Sequence, residues 1–377
     1  MVSLELPVTM SPHPFDAYQV DRLFLLIGEN PLPNYVAAKL LAKATGHIYL
    51  VHTTGTLEPA KQLQKILRSE LPNSQSVEQL SLESWESDAF RIRSEIESKL
   101  KEIDRSQERI GLNYTGGTKA MAVHTYRTVF DYDKNAVFSY LDPRRLEMCI
   151  DNQDGDRTRI KVAPDLVQVS LASLFQIHGW SLISEPISEP ELPQALDAFA
   201  NFHTKGESVQ LWRQWCNKVL RQATRDPKKP EKWRKENKLK ELPDLTLSEL
   251  QGSPAIIAAL GKLGVTGDHL SLVGIQTQGA KSVTSACKWL DGEWLEHYVL
   301  HQVSAIQDTH EVYERAASFW IRDPASPDRT KFQFDVAFIR GYQLFAISCT
   351  TIEDRSNCKP EMLNDGICLP KKAPKLV

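Results

Sequence analysis

The sequence predicts a mixed α/β protein whose N-terminal part is built on a mainly parallel sheet. Short apolar runs at residues 22–27, 48–52 and 110–114 alternate with longer amphipathic segments, which is the pattern of buried parallel strands separated by helices. Each of these runs is followed by a polar loop that contains glycine. In a doubly wound sheet such loops lie together at the carboxyl ends of the strands and hold the ligand. The length of 377 residues exceeds one ordinary domain and suggests two or three.

The elements of the N-terminal domain follow one another in regular alternation. The run at 22–27 is continuous and ends at Gly28, and segment 87–103 has the charged, amphipathic pattern of a surface helix. Strands are predicted at 22–27, 48–52, 76–82, 110–114, 136–142, 146–150 and 158–162, and helices at 34–44, 56–71, 87–103 and from Thr118 onward. Turns at 143–145 and 152–156 carry the Asn, Asp, Gly and Pro residues expected of hairpins. We place the first domain at residues 1–165.

Composition and charge exclude few classes of function. Lys and Arg number 45 and Asp and Glu 48, a formal net charge of -3, so any surface for nucleic acid must be a local patch. The six cysteines contain no Cys-x-x-Cys pair, and the sequence shows neither a leading apolar signal segment nor an apolar run long enough to span a membrane. We therefore expect a cytoplasmic protein in a reducing compartment, without a membrane partner.

The stretch 113–121, Asn-Tyr-Thr-Gly-Gly-Thr-Lys-Ala-Met, is the main candidate for ligand binding. It joins a short apolar strand to a helix through Gly116 and Gly117. Unpaired N–H groups at the start of such a helix point outward with the positive end of the helix dipole. Thr118 adds a hydroxyl group and Lys119 a mobile positive charge, a combination that suits a phosphate group. The pattern alone also fits a plain turn in which Thr118 only caps the helix.

Two further loops, residues 28–34 and 52–55, are expected to border the same crevice. Both are rich in small polar side chains at strand ends, where this fold would hold a nucleotide. Singly, each side chain would more often serve a turn or a helix cap, but their coincidence at neighbouring strand ends favours a site. The candidate ligand-binding residues are Gly28, Glu29, Asn30, Pro31, Asn34, His52, Thr53, Thr54, Thr115, Gly116, Gly117, Thr118, Lys119, Met121 and Asp142.

The stretch 113–121 and its surroundings resemble the CARF domain, the CRISPR-associated Rossmann-like module. The resemblance covers residues 20–165 and implies a domain that binds a cyclic oligoadenylate, with cyclic tetra-adenylate as the expected ring. It also implies a homodimer in which the ring lies across the two-fold axis, since an isologous interface doubles a weak phosphate site. Asp142 would then lie near the rim of the ligand site.

Residues 166–285 are expected to form a helical connector after a proline-broken linker. Residues 210–223 have a helical pattern, and the segment 225–240 that follows is rich in basic residues around Trp233. Basic residues interleaved with an aromatic ring could follow a phosphate backbone. Three acids within the segment dilute its charge, however, which favours a solvated helical face; they are Asp226, Glu231 and Glu236.

The C-terminal region, residues 286–377, carries a second group of candidate residues. A helix beginning near Asp291, which could cap it, carries Glu293 and Glu296 one turn apart. Residues 332–339 and 343–351 are predicted to be the two strands of a hairpin, the first of which carries Asp335. The motifs Gly-x-Trp-Leu-Glu and Phe-Asp-Val-Ala-Phe resemble the restriction-endonuclease-like, or PD-(D/E)xK, nuclease half of CARF-linked effectors. Those effectors cut DNA or RNA when a cyclic oligoadenylate binds.

This second resemblance implies a divalent metal, Mg²⁺ or Mn²⁺, held by Glu296 and Asp335. The chain departs from the family pattern where a second acid and a lysine are usual, because Ser348 and Thr350 stand there and carry no charge. Lys359 is the candidate for the missing positive charge. The candidate catalytic residues are Glu296, Asp335, Ser348, Thr350 and Lys359. Prolines at 360, 370 and 374 interrupt helical periodicity, so the domain is expected to be shortened.

Zinc sites receive less support than this metal site. His297 and His301 are four residues apart on one helix, but no third ligand is evident. The spacing of Cys349, Cys358 and Cys368 matches no zinc motif.

The patterns and resemblances together predict a cyclic-oligoadenylate sensor of type III CRISPR antiviral defence, with a metal-dependent DNA or RNA endonuclease that the ligand switches on. Two alternatives stay open. One is a ligand-binding regulatory protein with an inactive nuclease-like domain. The other is a ring nuclease, in which the CARF half cleaves its own ligand with Lys119 and backbone donors and without metal.

Overall fold

The computed structural model describes residues 13–71, 76–151, 157–323 and 331–351. Seven strands of the N-terminal part form one sheet: β1 (Val20–Leu26), β2 (Ala42–His52), β3 (Ser76–Ser81), β4 (Ile110–Asn113), β5 (Val137–Asp142), β6 (Glu147–Asp151) and β7 (Arg157–Lys161). Their order is β3-β2-β1-β4-β5-β6-β7, with parallel pairing from β3 to β5 and antiparallel pairing from β5 to β7. The predicted α/β class with a mainly parallel sheet is confirmed.

Four helices cover the two faces of this sheet: α1 (Leu32–Leu41), α2 (Leu57–Glu70), α3 (Ala89–Leu100) and α4 (Lys119–Tyr132). The packing of β1 explains why residues 23–26 are all apolar. Its residues Leu23 and Leu25 pack with the cluster that contains α1 and α2, whereas Phe24 and Leu26 pack with the cluster of α3 and α4. Because successive side chains of a strand point to opposite faces, a strand covered on both sides must be apolar at every position.

Helix α1 is shorter than the predicted helix at 34–44. It ends at Leu41, where the backbone N–H of Ala42 closes the last turn on Ala38 O. Strand β2 then begins at once, and Ala42 pairs with Val20 of β1. Pairing with a distant strand therefore overrides the local helical pattern at 42–44, an effect that no single-segment pattern contains.

The middle region is mainly helical, as predicted. Its elements are α5 (Leu171–Ile177), β8 (Ser181–Leu182), α6 (Leu196–His203), α7 (Gly206–Trp215), α8 (Arg221–Thr224), β9 (Arg225–Asp226), β10 (Lys229–Trp233), α9 (Glu236–Lys240), β11 (Leu245–Thr246), α10 (Pro254–Gly261), β12 (His269–Leu270), α11 (Leu272–Thr277) and α12 (Val283–Lys288). Phe199, Trp215 and Trp289 are fully buried in the core of this region. Among the helices in the described ranges, none is long and apolar enough to cross a lipid bilayer.

The prediction of a helix over segment 225–240 is wrong for most of that segment. Strands β9 and β10 form an antiparallel hairpin in which Lys229 pairs with Asp226, and only α9 is helical. Two prolines, Pro227 and Pro230, lie in this hairpin, and proline disrupts a helix interior. Asp226 Oδ1 also accepts a hydrogen bond from Lys228 N at 2.8 Å, which favours a turn.

The C-terminal region contains helix α13 (Trp294–Ala305) and strands β13 (Val312–Arg322), β14 (Lys331–Arg340) and β15 (Gln343–Ile347). The sheet order is β15-β14-β13-β8, and the predicted hairpin is present as β14 and β15. Two features differ from expectation. The long strand β13 was not predicted, and β15 ends at Ile347, so Ser348 and Thr350 follow the strand instead of lying within it.

Helix α5 connects the two sheets. Its Phe175 ring lies 6.0 Å from the Phe319 ring of β13 and 5.3 Å from the Phe334 ring of β14. On its other side, the Ser173 hydroxyl donates to Glu70 Oε1 of α2 at 2.7 Å. Residues of both sheets belong to one continuous apolar core through this contact.

Candidate functional site

The carboxyl ends of β1 and β4 bring two backbone segments into direct contact. A Cβ atom on Gly116 would lie 2.2 Å from Leu26 O and 2.9 Å from Gly28 N. Gly117 has a φ of +74°, which is a left-handed conformation that favours glycine. Residues 115–119, called the glycine loop below, therefore need both glycines and are held in place by the backbone of β1.

Helix α4 begins within the glycine loop. The Thr118 hydroxyl accepts a hydrogen bond from Met121 N at 3.2 Å and donates one to Glu86 O at 2.9 Å, so Thr118 caps the helix. Lys119, the first residue of α4, is exposed, and the described part of the chain supplies no ion-pair partner for its ammonium group. A cation is unfavourable at the positive end of a helix dipole. A bound anion at this position would remove that conflict.

Asn34 directs a buried polar atom toward the glycine loop. Its side chain is fully buried, and its Nδ2 donates to Leu26 O at 2.9 Å. Its Oδ1 has no hydrogen-bond partner in the described structure and lies 3.2 Å from the position that a Cβ on Gly116 would occupy. An unpartnered buried oxygen costs free energy, so this atom favours a ligand or solvent donor at the loop.

Other predicted ligand-binding residues have local partners that explain them in part. The Thr115 hydroxyl accepts from Leu141 N at 2.8 Å, and Asp142 Oδ1 accepts from the backbone of Arg144 at 2.9 Å. Thr53 belongs to a reciprocal cap with Thr56, and Met121 is 1% exposed within the core. For these four residues, the structure shows local roles in a turn, a helix cap or the core.

The remaining candidates lie around the same strand ends. Glu29 is exposed, and Asn30 Oδ1 lies 3.1 Å from Leu32 N and 3.1 Å from Nε2 of His178, which follows α5. Burial lowers the pKa of His178. Pro31 precedes α1, His52 is buried with Nδ1 3.0 Å from Thr53 O, and the Thr54 hydroxyl lies 3.3 Å from that of Ser84. The contact with His178 was not foreseen, because 148 residues separate the two partners.

Residues 23–166 match the family model described as the Card1 CARF domain. This part of the chain is a CARF domain. The match agrees with the CARF resemblance seen in the sequence.

Solved structures resemble the chain over most of its length. Protein VC1899 from Vibrio cholerae aligns with a TM-score of 0.66 at 16% identity, covering 91% of this chain and 84% of that chain. Can2 from Sulfobacillus thermosulfidooxidans, solved in complex with cyclic tetra-adenylate, aligns with a TM-score of 0.62 at 15% identity, covering 91% and 85%. At such identities the likeness concerns the fold alone. The comparison with curated proteins gave no match.

Outside the CARF domain, two of the candidate catalytic residues, Glu296 and Thr350, line a cavity of about 320 Å³. We call it the acidic cleft; its lining includes Arg225, Lys288, Glu293, Glu296, Cys349 and Thr350. Helix α13 carries Glu296 and β14 carries Asp335. Asp291 does not cap α13 as expected: a kink at Gly292, with φ +151°, separates them, and the Asp291 carboxylate binds Arg221 and Arg225.

Glu296 is the most perturbed group of the acidic cleft. Its side chain is buried, and the Ser318 hydroxyl donates a short hydrogen bond to its Oε2. Burial raises the pKa of Glu296 to about 8, and the negative charges of Asp335 and Glu293 add to this shift. Glu296 therefore holds a proton near neutral pH until a cation compensates its charge. Burial also raises the pKa of Cys349, to about 12, so its thiol is not a nucleophile.

Asp335 is oriented by the residues that follow β15. Its Oδ2 accepts hydrogen bonds from the Ser348 hydroxyl at 3.2 Å and from Cys349 N at 2.8 Å. Ser348 thus binds Asp335 instead of replacing an acid. Ser318 occupies the position opposite Asp335, because its neighbours Ala317 and Phe319 pair with Val336 and Phe334. It has a φ of +54°, a strained conformation for serine.

The structure brings some predicted residues together and leaves others apart. Glu296 and Thr350 line the acidic cleft, and Asp335 and Ser348 lie next to it, because Asp335 Oδ2 accepts hydrogen bonds from the lining residue Cys349 and from Ser348. Lys359 lies outside the described residues. Lys288, which the sequence did not indicate, supplies a cation instead and lies 3.5 Å from Glu293 Oε1. Burial raises the pKa of Glu293, and Lys288 opposes that shift.

Among the described residues, the alternative zinc ligands do not form a metal-binding group. His297 is buried and its Nδ1 accepts from Glu191 N at 3.1 Å, while Cys358 and Cys368 lie outside the described residues. Within the ranges described, no group of three or more His, Cys, Asp or Glu side chains is arranged to hold a metal. Mg²⁺ often needs fewer, because one or two carboxylates and the substrate phosphates complete its shell. The Glu296–Asp335 pair fits that mode.

Proposed function

We propose that the CARF domain binds a cyclic oligoadenylate, cyclic tetra-adenylate in particular, as the signal of a type III CRISPR system. The observation that carries this proposal is the glycine loop. Its backbone is fixed against β1, and it opens onto the N-terminus of α4. Within the described residues, the exposed Lys119 ammonium has no ion-pair partner, and the buried Asn34 Oδ1 beside the loop has no hydrogen-bond partner. Backbone amides and a lysine suit a phosphodiester, and an amide side chain suits a base or a ribose.

A homodimer is part of this proposal. One glycine loop contacts only a part of a ring of four nucleotides, so two loops related by a two-fold axis would contact it symmetrically. Can2, which shares the fold, is known in complex with cyclic tetra-adenylate. That complex supports the choice of ring and does not extend to the contacts of this chain.

We further propose that the acidic cleft is a metal-dependent nuclease centre that the ligand activates. Glu296 and Asp335 would hold Mg²⁺ or Mn²⁺, which when bound supplies positive charge to polarise the scissile phosphate and the attacking water. The residues of the chain itself would control metal binding and catalysis. Glu296 must lose its proton, Ser318 and Cys349 N orient the two carboxylates, and Lys288 is placed to stabilise developing negative charge.

A second candidate function follows from Ser348 and Thr350. The first binds Asp335 as a neutral donor, and neither residue brings a charge to the cleft. This arrangement favours a ligand-binding regulatory protein whose cleft stabilises the fold without cutting nucleic acid.

The ligand proposal is tested by isothermal titration calorimetry of the full chain with cyclic tetra-adenylate. Cyclic hexa-adenylate and linear tetra-adenylate are the controls for ring size and closure. We expect the cyclic tetramer to bind most tightly, with one ring for every two chains. Equal binding of the linear form would contradict recognition of a ring, and one ring per chain would contradict the dimer.

The nuclease proposal is tested with single-stranded RNA, single-stranded DNA and supercoiled plasmid in Mg²⁺ or Mn²⁺, with and without cyclic tetra-adenylate. We expect ligand-dependent cutting that Asp335→Asn removes, because the variant loses the oriented carboxylate. Asp308→Asn, at an exposed position, is the matched control and should cut like the parent. Intact ligand binding without any cutting would leave the regulatory function as the conclusion.

A further inference from the structure

The hairpin of β9 and β10 stands beside the acidic cleft and has no part in the two activities proposed above. The Arg225 guanidinium lies 3.7 Å from the centre of the Trp233 ring, and both side chains line the acidic cleft. Arg225 also lines a second cavity of about 520 Å³, whose other lining residues include Arg221, the two prolines of the hairpin and its two acids, Asp226 and Glu231. One arginine therefore forms part of the wall of both cavities, which makes them neighbours.

The arginines of this surface are fixed in place. The Asp291 carboxylate, whose side chain is 7% exposed, lies 2.7 Å from Arg221 Nε and 2.8 Å from Arg225 Nη2. Two guanidinium groups share one carboxylate, so one positive charge remains in excess. Because Arg225 is also stacked on Trp233, its plane is held in one orientation at the edge of the acidic cleft.

The hairpin adds three lysines for which the described residues supply no acidic partner. Lys228, Lys229 and Lys232 are exposed, and the described part of the chain gives none of them an ion pair. By contrast, Lys238 of the nearby helix α9 pairs with Glu241 at 2.7 Å. Residues 225–235 carry six basic and two acidic side chains, so the hairpin is a local positive patch on a chain whose net charge is -3.

We propose that this hairpin and Arg221 form a groove that binds single-stranded nucleic acid and leads it to the acidic cleft. Unpaired lysines along a turn suit successive phosphates, and a fixed arginine–tryptophan pair suits an unpaired base. This proposal rests on the proposed nuclease function only in its second part, the delivery of the strand to the acidic cleft for cutting. Binding by the groove needs neither metal nor cutting.

The test measures binding of the full chain to fluorescein-labelled oligo(dT), oligo(U) and a DNA duplex by fluorescence anisotropy. EDTA is present to prevent cutting, and each titration is run with and without cyclic tetra-adenylate at several salt concentrations. The variant is Lys228→Glu/Lys229→Glu/Lys232→Glu. The matched control, Lys65→Glu/Lys101→Glu/Lys262→Glu, reverses the same number of exposed lysines elsewhere.

We expect the hairpin variant to bind both single strands on the order of 100-fold more weakly, and its salt dependence to fall by about 2 in log–log slope. The control variant should bind like the parent, and the duplex should bind more weakly than either strand. Comparable binding of the two strands would mean backbone and stacking recognition, whereas a preference for one would identify the substrate.

Three outcomes would overturn the groove: no binding by the parent chain, equal loss in both variants, or unchanged binding in the hairpin variant. These outcomes concern binding in EDTA and do not depend on whether Asp335→Asn loses cutting. The groove proposal and the nuclease proposal can therefore be contradicted independently. Circular dichroism of both variants checks that their folds are intact.

Discussion

The glycine loop of the CARF domain and the acidic cleft are sites built from different parts of the chain. The first is made of backbone: Gly116 and Gly117 pack against β1, and the loop is a single contiguous stretch. The second is made of side chains from separate elements, with Glu296 on α13, Ser318 on β13 and Asp335 on β14. A site of the first kind fails when its packing changes, and a site of the second kind fails when its protonation or orientation changes.

Gly116→Ala should break the first site most completely. The added Cβ would meet Leu26 O at 2.2 Å, so the loop must move away from β1, and overpacking of this kind typically costs about 1–3 kcal/mol. We expect loss of cyclic tetra-adenylate binding in calorimetry and a lower melting temperature. Gly206→Ala is the control, because a Cβ there meets nothing within 4 Å. Parent-like binding by Gly116→Ala would show that the close packing is dispensable.

Glu296→Gln should change the second site through its protonation. The pKa of Glu296 is raised in the folded chain to about 8 from its ordinary value of 4.5, so its contribution to stability is complete below pH 4.5 and is lost as pH rises through about 8. Glutamine does not ionise. The free energy of unfolding of the parent should therefore fall by a few kcal/mol more than that of the variant between about pH 5 and about pH 9.

Chemical denaturation at a series of pH values measures this difference. Glu249→Gln, at an exposed position, should follow the parent at every pH. An identical pH dependence in the parent and Glu296→Gln would mean that Glu296 is not the buried acid that the geometry indicates.

Lys119→Ala should sharpen the comparison, because it affects ligand binding and leaves the fold unchanged. The side chain is exposed and has no ion-pair partner in the described ranges, so the melting temperature should stay within a degree or so of the parent. Loss of one charge-assisted phosphate contact should weaken cyclic tetra-adenylate binding about tenfold or more. Lys65→Ala is the matched control in the same titration, and equal affinities for both variants would remove Lys119 from the site.

Substitutions of Ser318 should give the smallest effect on stability, and the choice of substitution decides its size. Ser318→Ala keeps the left-handed backbone and removes the hydroxyl that donates to Glu296, so we expect a loss of roughly 1–2 kcal/mol. Ser318→Gly loses the same hydrogen bond and relieves the strain, so it should be about 1 kcal/mol more stable than Ser318→Ala. Thermal unfolding near neutral pH compares the two. The reverse order would show that the backbone at Ser318 is not strained.

Local pattern was sufficient where a residue's environment follows from its neighbours in sequence. The strand at 22–27, the helix at 56–71 and the loop around Gly116 were all predicted, since apolar periodicity and glycine position reflect burial and turn geometry directly. The pattern failed where a distant contact decided the outcome. Pairing with Val20 ended α1 at Leu41, and two prolines within a basic segment made a hairpin at 225–233 where a helical face was expected.

Sequence pattern was also insufficient to predict which side chains surround the acidic residues of the acidic cleft. Glu296 and Asp335 were named from motifs, but Ser318, which donates to Glu296, lies 22 positions further along the chain on a strand that was not predicted. Lys288 lies eight positions before Glu296, on the preceding helix α12. Nothing in the spacing of those residues indicated a site. Only the folded sheet shows that Ser318 turns its hydroxyl toward Glu296.

The sequence by itself determined the α/β class, the alternation of strands and helices in the N-terminal part and the position of the glycine loop, because these depend on periodicity and on residues adjacent in the chain. The tertiary structure alone decided that Glu296 is buried near Asp335, that Lys288 pairs with Glu293 in the acidic cleft, and that Arg225 stacks on Trp233 at the edge of the same cleft. Burial and proximity set the charge of such groups, and both arise only when distant segments pack together.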